Sequence, residues 1–183
     1  MKYYKVLNGS RSCNGGSYEW SLPVKNDDGT WTPGEWTKEI HNGLIPCGRG
    51  YHLADETQLV YWLGKDIYEA EGGTTMMLST DNGDPKWVTN KARLLRKVET
   101  WNDRTARLFA VWCADEAWDV AEKYSNREST REELEGARYI AWEASWAAER
   151  FTAWYAARYA AWYTTREGTR DAQTKYLLEM LGE

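Results

Sequence analysis

The stretch ARYIAWEASWAAERFTAWYAARYAAWYTTREGTRDA, residues 137–172, separates this chain into two unlike parts. When this segment is written in groups of four, the second position of every group is Trp or Arg. Small residues occupy most of the first and fourth positions. Residues four apart are neighbours on an α-helix, so indole and guanidinium groups can stack along it. The residues that we assign to an interaction surface on this helix are Trp142, Trp146, Arg150, Trp154, Tyr155, Arg158, Tyr159, Trp162 and Arg166.

The repeat has a length and a winding that limit what it can contact. A capping box at Ser129-Thr130-Arg131-Glu132 predicts a helix from there to about Thr165, ended by Gly168. Each tetrad advances about 40° around a helix, so only a partner that wraps with right-handed sense can follow the Trp/Arg line. One interpretation is helix–helix association, within the protomer, between copies or with a target. The other is a low-complexity expansion of an Ala-rich helix.

The residues before the repeat predict an α+β fold. Asn102 is expected to cap a helix over 103–124. Within residues 1–100, alternating patterns and turn residues predict strands at 3–7, 18–22, 30–32, 35–37, 66–70 and 92–98, and a short helix at 55–64. The hairpin around the 26–29 turn is expected to carry Trp20, Trp31 and Trp36. We therefore predict a small β-rich N-terminal domain, residues 1–100, followed by a long-helix C-terminal region, residues 101–183.

Composition narrows the function classes. The chain has 183 residues, a net charge of −5, and twelve Trp and twelve Tyr beside two Phe. Without a basic excess, duplex DNA or RNA is not the expected partner. The aromatic excess is typical of contact surfaces, or of a core built from Trp. No signal peptide or long apolar run is seen, so a cytoplasmic location without a membrane partner is expected.

The sharpest chemical cluster is Cys47-Gly48-Arg49-Gly50-Tyr51-His52-Leu53. Together with Cys13 and His41 it offers a nominal zinc set, but no Cys-x-x-Cys pair is present and the spacings are poor. A structural cysteine and a hydrogen-bonded histidine fit better, so no metal or cofactor is predicted. The three cysteines, widely spaced and odd in number, do not form a disulfide framework. The candidate ligand-binding residues are Arg49, Tyr51, His52 and Trp62.

Two resemblances rest on these motifs. The Tyr4-Lys5-Val6-Leu7-Asn8 strand, followed by Cys47 and Gly50-Tyr51-His52, resembles an uncharacterised N-terminal domain of phage and bacterial proteins, over about residues 3–98. The segment 48–55 is similar to a motif of ADP-ribosyltransferases. That second resemblance implies that Tyr51 or His52 stacks on the nicotinamide of NAD, with Glu69, Glu71 or Glu99 as the acid. The first strand carries Lys5 where those enzymes have His or Arg.

The preferred hypothesis is a non-enzymatic binding or interaction protein, of phage or mobile-element type, that inhibits a host factor or defence and assembles through its helical tail. No catalytic residue is assigned. The alternatives are an NAD-using enzyme of the ADP-ribosyltransferase type, and a sponge that holds a nucleotide signal between Trp or Tyr faces and Arg49.

Overall fold

The protein forms two compact units, Met1–Glu99 and Thr100–Glu183. The structure is a computed structural model that describes residues 1–12, 17–80, 85–136, 157–158 and 167–183. The first unit is built from β-strands and the second from helices, so the fold class is α+β. Among the described residues, no helix combines the length and the apolar character that a membrane span requires.

The described part of the first unit contains nine strands. In chain order they are β1 (Tyr3–Asn8), β2 (Arg11–Ser12), β3 (Val24–Lys25), β4 (Trp31–Thr32), β5 (Tyr51–Asp55), β6 (Asp66–Gly72), β7 (Met76–Ser79), β8 (Lys86–Thr89) and β9 (Ala92–Lys97). Seven of them form an antiparallel sheet in the order β7-β8-β5-β1-β6-β9, with β2 beside β1. Strands β3 and β4 form a separate hairpin.

Strand β1 lies inside the sheet and is covered on both faces. Tyr4 and Val6 are buried on one face, and Leu7 is buried on the other. A strand buried on both faces has a nearly continuous apolar sequence, which residues 3–7 show except at Lys5. The core on the Leu7 face consists of Leu7, Trp20, Leu53, Tyr68, Ala70, Ala92 and Leu94.

Two predicted strands are wrong, and both failures have a physical cause. Residues 18–22 form no strand; Glu19 makes an isolated bridge to Arg11, and Trp20 turns into the core, where it is 6% exposed. Residues 34–40 run beside β9 and the turn before it, and only every third amide is bonded: Gly34 to Leu94 O, Thr37 to Ala92 O and Ile40 to Asn90 O. A strand needs a period of two. Of the three tryptophans expected in the hairpin, only Trp31 lies in it.

The other strand predictions are confirmed at 3–7, 66–70 and 92–98 to within a residue or two. Residues 31–32 of the predicted 30–32 strand form β4, and Asn26 to Thr30 form the turn before it. The predicted short helix at 55–64 is a 3₁₀ turn over Leu59–Trp62. Strands β5, β7 and β8 were not predicted.

The second unit begins with helix α1 (Asp103–Ser125), which confirms the predicted helix and its cap. The Asn102 side chain accepts hydrogen bonds from the amides of Arg104 and Thr105, so two of the helix's unsatisfied donors are paired. A second helix, α2 (Glu167–Leu181), packs against α1. Stacking of Trp112 on Tyr176, with ring centroids 4.6 Å apart, joins them.

Two expectations for the tail need correction. The capping box begins one residue later than predicted: the Glu133 amide donates to Thr130 Oγ1 at 3.3 Å, and the Thr130 amide donates to the Glu133 carboxylate. The required spacing of three residues is present in both the predicted and the observed pair, so the sequence could not decide between them. Gly168 lies inside α2 and does not end a helix. Apart from Arg158, which is half-buried, the residues assigned to the interaction surface lie outside the described residues.

Candidate functional site

The sheet opens beside β1. On one side, β1 pairs with β5 only at Tyr3 and Tyr4, and with β2 only at Leu7 and Asn8. Lys5 lies with Val6 between these two ladders, where β5 and β2 diverge. Such a split leaves room for a ligand beside the strand.

The split widens into a pocket of about 340 Å³. Ala54 of β5 pairs with Tyr4 and is 4% exposed. Its methyl group fills less of the pocket than a larger side chain would. Residues 52 and 54 share one face of β5 because side chains alternate along a strand. The described residues that line the pocket are Tyr4, Lys5, Val6, Ser12, Cys47, Gly48, Gly50, His52, Leu53, Ala54, Trp62 and Lys86.

Lys86 supplies a buried positive charge. The residue is 6% exposed, and its Nζ lies 5.1 Å from the centre of the Trp62 ring. The Trp62 indole is held in place by donating Nε1–H to Pro85 O at 2.9 Å. Among the described residues, none forms a hydrogen bond or an ion pair with the Lys86 ammonium. Three lysines elsewhere on this unit each have a carboxylate partner: Lys25, Lys91 and Lys97.

Lys5 supplies the second charge. It is 8% exposed, its Nζ donates to His52 O at 3.0 Å, and it lies 5.0 Å from the centre of the Trp20 ring. The ammonium thus bridges the split between β1 and β5. Because Lys5 is a strand residue whose stem crosses the opening, its charge is fixed beside the pocket.

His52 is neutral and its proton is located by its hydrogen bond. Burial, followed by the nearby charges of Lys5 and Lys86, lowers its pKa from 6.5 to about 4. Its Nε2 accepts the Cys47 amide at 3.0 Å, so in the neutral ring the hydrogen is on Nδ1. Cys47 has a φ of 58° in the tight turn between Ile45 and Arg49, and this left-handed conformation accompanies the amide's hydrogen bond to the imidazole.

Tyr4 adds another polar group to the wall. Its hydroxyl is buried, and no described residue is its hydrogen-bond partner. Burial, and then the charges of Glu56 and Glu69, raise the pKa of this hydroxyl to about 12. The group therefore stays protonated.

Carboxylates are absent from the described part of the lining. The three acids considered for catalysis are engaged elsewhere: Glu69 with Arg96, Glu71 with Arg93, and Glu99 with Lys25. A Cys47–His52 pair is not assembled for nucleophilic chemistry either, because the lone pair of Nε2 already accepts a backbone amide. The described residues of the pocket form an arrangement that attracts negative charge.

Of the four predicted ligand-binding residues, the structure brings two into the pocket, His52 and Trp62. Tyr51 contacts Trp20 edge to face, with ring centroids 5.8 Å apart, and donates its hydroxyl hydrogen to Lys38 O. Arg49 donates to Asn42 O and does not line the pocket. Whether any of the four binds a ligand stays a prediction.

Sequence reasoning missed Lys86 and the pocket role of Lys5. Lys86 follows Pro85 in a polar stretch of sequence, where a lysine is usually solvated, and no periodicity marked 86–89 as a strand. In the sequence, Lys5 stands out only as a departure from the first strand of the ADP-ribosyltransferases. A lysine flanked by buried strand residues, as Lys5 is between Tyr4 and Val6, is a signal that could have been used.

The nominal zinc set does not assemble in the described residues. His52 Nε2 accepts a backbone amide, and no group of three or more His, Cys, Asp or Glu side chains in the described ranges has a metal-binding arrangement. Cys13 lies outside those ranges. Comparison with family models, with curated proteins and with solved structures finds no match to this chain.

Proposed function

We propose that this chain is a non-enzymatic binding protein whose β-rich unit captures a small anionic ligand in the pocket beside β1. The observation that carries the proposal is Lys86, a residue that lines the pocket, is 6% exposed, and has no carboxylate or hydrogen bond to its ammonium from the described residues. Buried charges are normally paired, because removing one from water costs several kcal/mol. A ring face offsets part of that cost, about 0.5–2 kcal/mol. An anion that enters the pocket would offset the rest.

The surroundings support an anion in particular. Lys5 adds a second positive charge, and His52 adds a neutral N–H donor at Nδ1. Pockets that hold small molecules usually have volumes of about 300–1,000 Å³, with apolar walls and a few polar groups. At about 340 Å³, with Val6, Leu53 and Ala54 among its walls, this pocket lies at the small end of that range.

The transferase alternative has less support. Its stacking residue would be Tyr51, which packs on Trp20 and Tyr18, or His52, whose ring is fixed by the Cys47 amide. The catalytic acid of such an enzyme would be Glu69, Glu71 or Glu99, and each of these carboxylates would have to leave an ion pair.

The ligand proposal is tested by isothermal titration calorimetry and native mass spectrometry of the full chain. Lys86→Met keeps the length and the apolar stem of the side chain but removes the charge. Lys65→Met is the matched control, because Lys65 is exposed and lies outside the pocket. We expect anion binding in the parent and in the control, and at least about a tenfold loss in Lys86→Met. Equal binding by all three proteins would reject the pocket as the site.

The helical tail belongs to the proposal as an assembly device. We propose a long helix over the tetrad repeat that joins copies of the chain, since its many Trp and Tyr rings need cover. Truncation after Tyr124 is expected to lower the oligomeric mass in native mass spectrometry. A truncated protein that keeps the parent's oligomeric state would refute this part alone. On its resemblance to phage and bacterial proteins, we propose that the protein works in the cytoplasm as an accessory factor of a phage or mobile element, against a host factor or defence.

A further inference from the structure

On the basis of the proposed function, we infer that the pocket recognises a compact oxyanion, a phosphate monoester or a carboxylate on a small body, and that it does so without stacking a nucleobase. This deepens the proposal by naming the ligand's anchoring group, and it separates the small metabolite class from nucleotides and from NAD.

Each of the two indole rings near the pocket has a lysine ammonium over one face. The Lys86 ammonium lies over the Trp62 ring, and the Trp62 N–H is bonded to Pro85 O. On the opposite face of the sheet, Trp20 has the Lys5 ammonium over its ring and Tyr18 and Tyr51 against it edge to face. Base stacking needs an open ring face. A nucleobase that stacked on the covered face of Trp62 would have to displace the Lys86 ammonium, which is also a charge that attracts the phosphate.

The hydrogen-bonding groups of the site are mostly donors. Lys86 and Lys5 carry only donors, and His52 offers Nδ1–H because Nε2 is taken by the Cys47 amide. The described lining contains no carboxylate or carboxamide side chain. The Watson–Crick edge of a base presents donors next to acceptors, and this wall has little to receive the donors. The hydroxyls of Tyr4 and Ser12 can donate as well as accept, so a phosphate or carboxylate, which presents acceptors alone, can be bonded by every polar side chain of the described wall.

The position of the anchoring group follows from the faces of the strands. His52 and Ala54 share one face of β5, and Lys86 shares it too, because its neighbour Trp87 pairs with Leu53, which points the other way. The oxyanion therefore sits over the Ala54 methyl, between the Lys86 ammonium and the His52 N–H. A larger side chain at position 54 would occupy that place without removing any charge.

The test is a calorimetric panel on the full-length protein with inorganic phosphate, glycerol 3-phosphate, malonate, AMP and adenosine. We expect binding of glycerol 3-phosphate or malonate, no binding of adenosine, and AMP no tighter than inorganic phosphate. Ala54→Leu should weaken the oxyanion at least about tenfold, as should Lys86→Met, whereas Lys65→Met should leave it unchanged. Circular dichroism melting confirms that each variant is folded. If Ala54→Leu does not fold, Ala54→Val replaces it.

The results distinguish a phosphate ester from a carboxylate. They also distinguish failure of the oxyanion inference from failure of the anion-binding function. Glycerol 3-phosphate that binds more tightly than malonate at about pH 7.5, where both are dianions, marks a phosphate ester, and the reverse order marks a carboxylate. Binding of adenosine, or AMP more than tenfold tighter than phosphate with loss in Trp62→Leu, would overturn the oxyanion inference and leave the anion-binding function standing. A panel in which no anion binds would overturn both.

Discussion

Lys86→Met is expected to stabilise the ligand-free protein while it removes binding. The residue is 6% exposed, and its ammonium lies 5.1 Å from the centre of the Trp62 ring. A buried polar group without a hydrogen bond costs about 1–3 kcal/mol in protein mutational data, and a charged one costs more. The ring returns about 0.5–2 kcal/mol. Met keeps the apolar stem and has no charge to desolvate, so the free energy of unfolding of the β-rich unit should rise by roughly 1–2 kcal/mol.

The measurement is native-state hydrogen exchange of amides in β1, β5 and β6, because it reports the β-rich unit apart from the helical one. In a domain of this length, each kcal/mol of added stability raises the melting temperature by about 4–8 °C. Lys97→Met is the matched control. Lys97 is paired with Asp66 at 2.5 Å, and the Asp66 side chain is 11% exposed, so its loss leaves a nearly buried carboxylate unpaired. That variant should lose about 1–3 kcal/mol.

The opposite signs of the two Lys→Met changes are the informative result. A Lys86→Met protein that is less stable than the parent by about 1 kcal/mol or more would refute the reasoning. The ammonium would then be holding the fold together, and its burial would need no ligand to explain it.

Three further outcomes follow from particular residues. The pKa of His52 is lowered from 6.5 to about 4, so its neutral ring contributes stability that is fully present above pH 6.5 and is lost as the pH falls toward 4. In that window the free energy of unfolding should fall by at most about 1.4 kcal/mol per pH unit. A His52→Gln protein that keeps this slope would contradict the prediction. Gly50→Ala should destabilise by several kcal/mol on a denaturant curve, about 2–4 kcal/mol, because φ is 142° and the new Cβ would lie 2.3 Å from Val88 Cγ1; an unchanged midpoint would show that the loop yields. Asn102→Ala should cost helix α1 about 1 kcal/mol, measured by exchange of its first-turn amides, and Asn102→Asp should retain most of that.

Much of the secondary structure could be predicted, because local signals decide it. Alternation and an Asn-Gly stop identify β1, and Asn102 marks the start of α1. Strands β7 and β8 could not be found in this way. They are only four residues long, and their side chains alternate too briefly to be distinguished from a loop. The sheet order, which places β1 between β5 and β6, comes from pairings distant in sequence.

The candidate site was only partly predictable for the same reason. His52 and Trp62 stand out as rare residue types near a glycine-rich turn, and both line the pocket. Tyr51 looked equivalent to His52, but adjacent strand residues face opposite sides of a sheet, so it packs on Trp20 instead. Lys86 has no unusual sequence context at all.

Local sequence signals suffice for the division into a strand-rich part and a helical part, for strand β1 and for the capped helix α1, because propensity, periodicity and capping act over a few residues. Long-range packing brings about the divergence of β5 and β2 beside Lys5, and it brings Lys86 from β8 to the same opening. A buried charge is defined by what surrounds it. The surroundings of Lys86 come from β5 and from the 3₁₀ turn that carries Trp62, segments that lie more than twenty residues away along the chain and are joined to it only by folding.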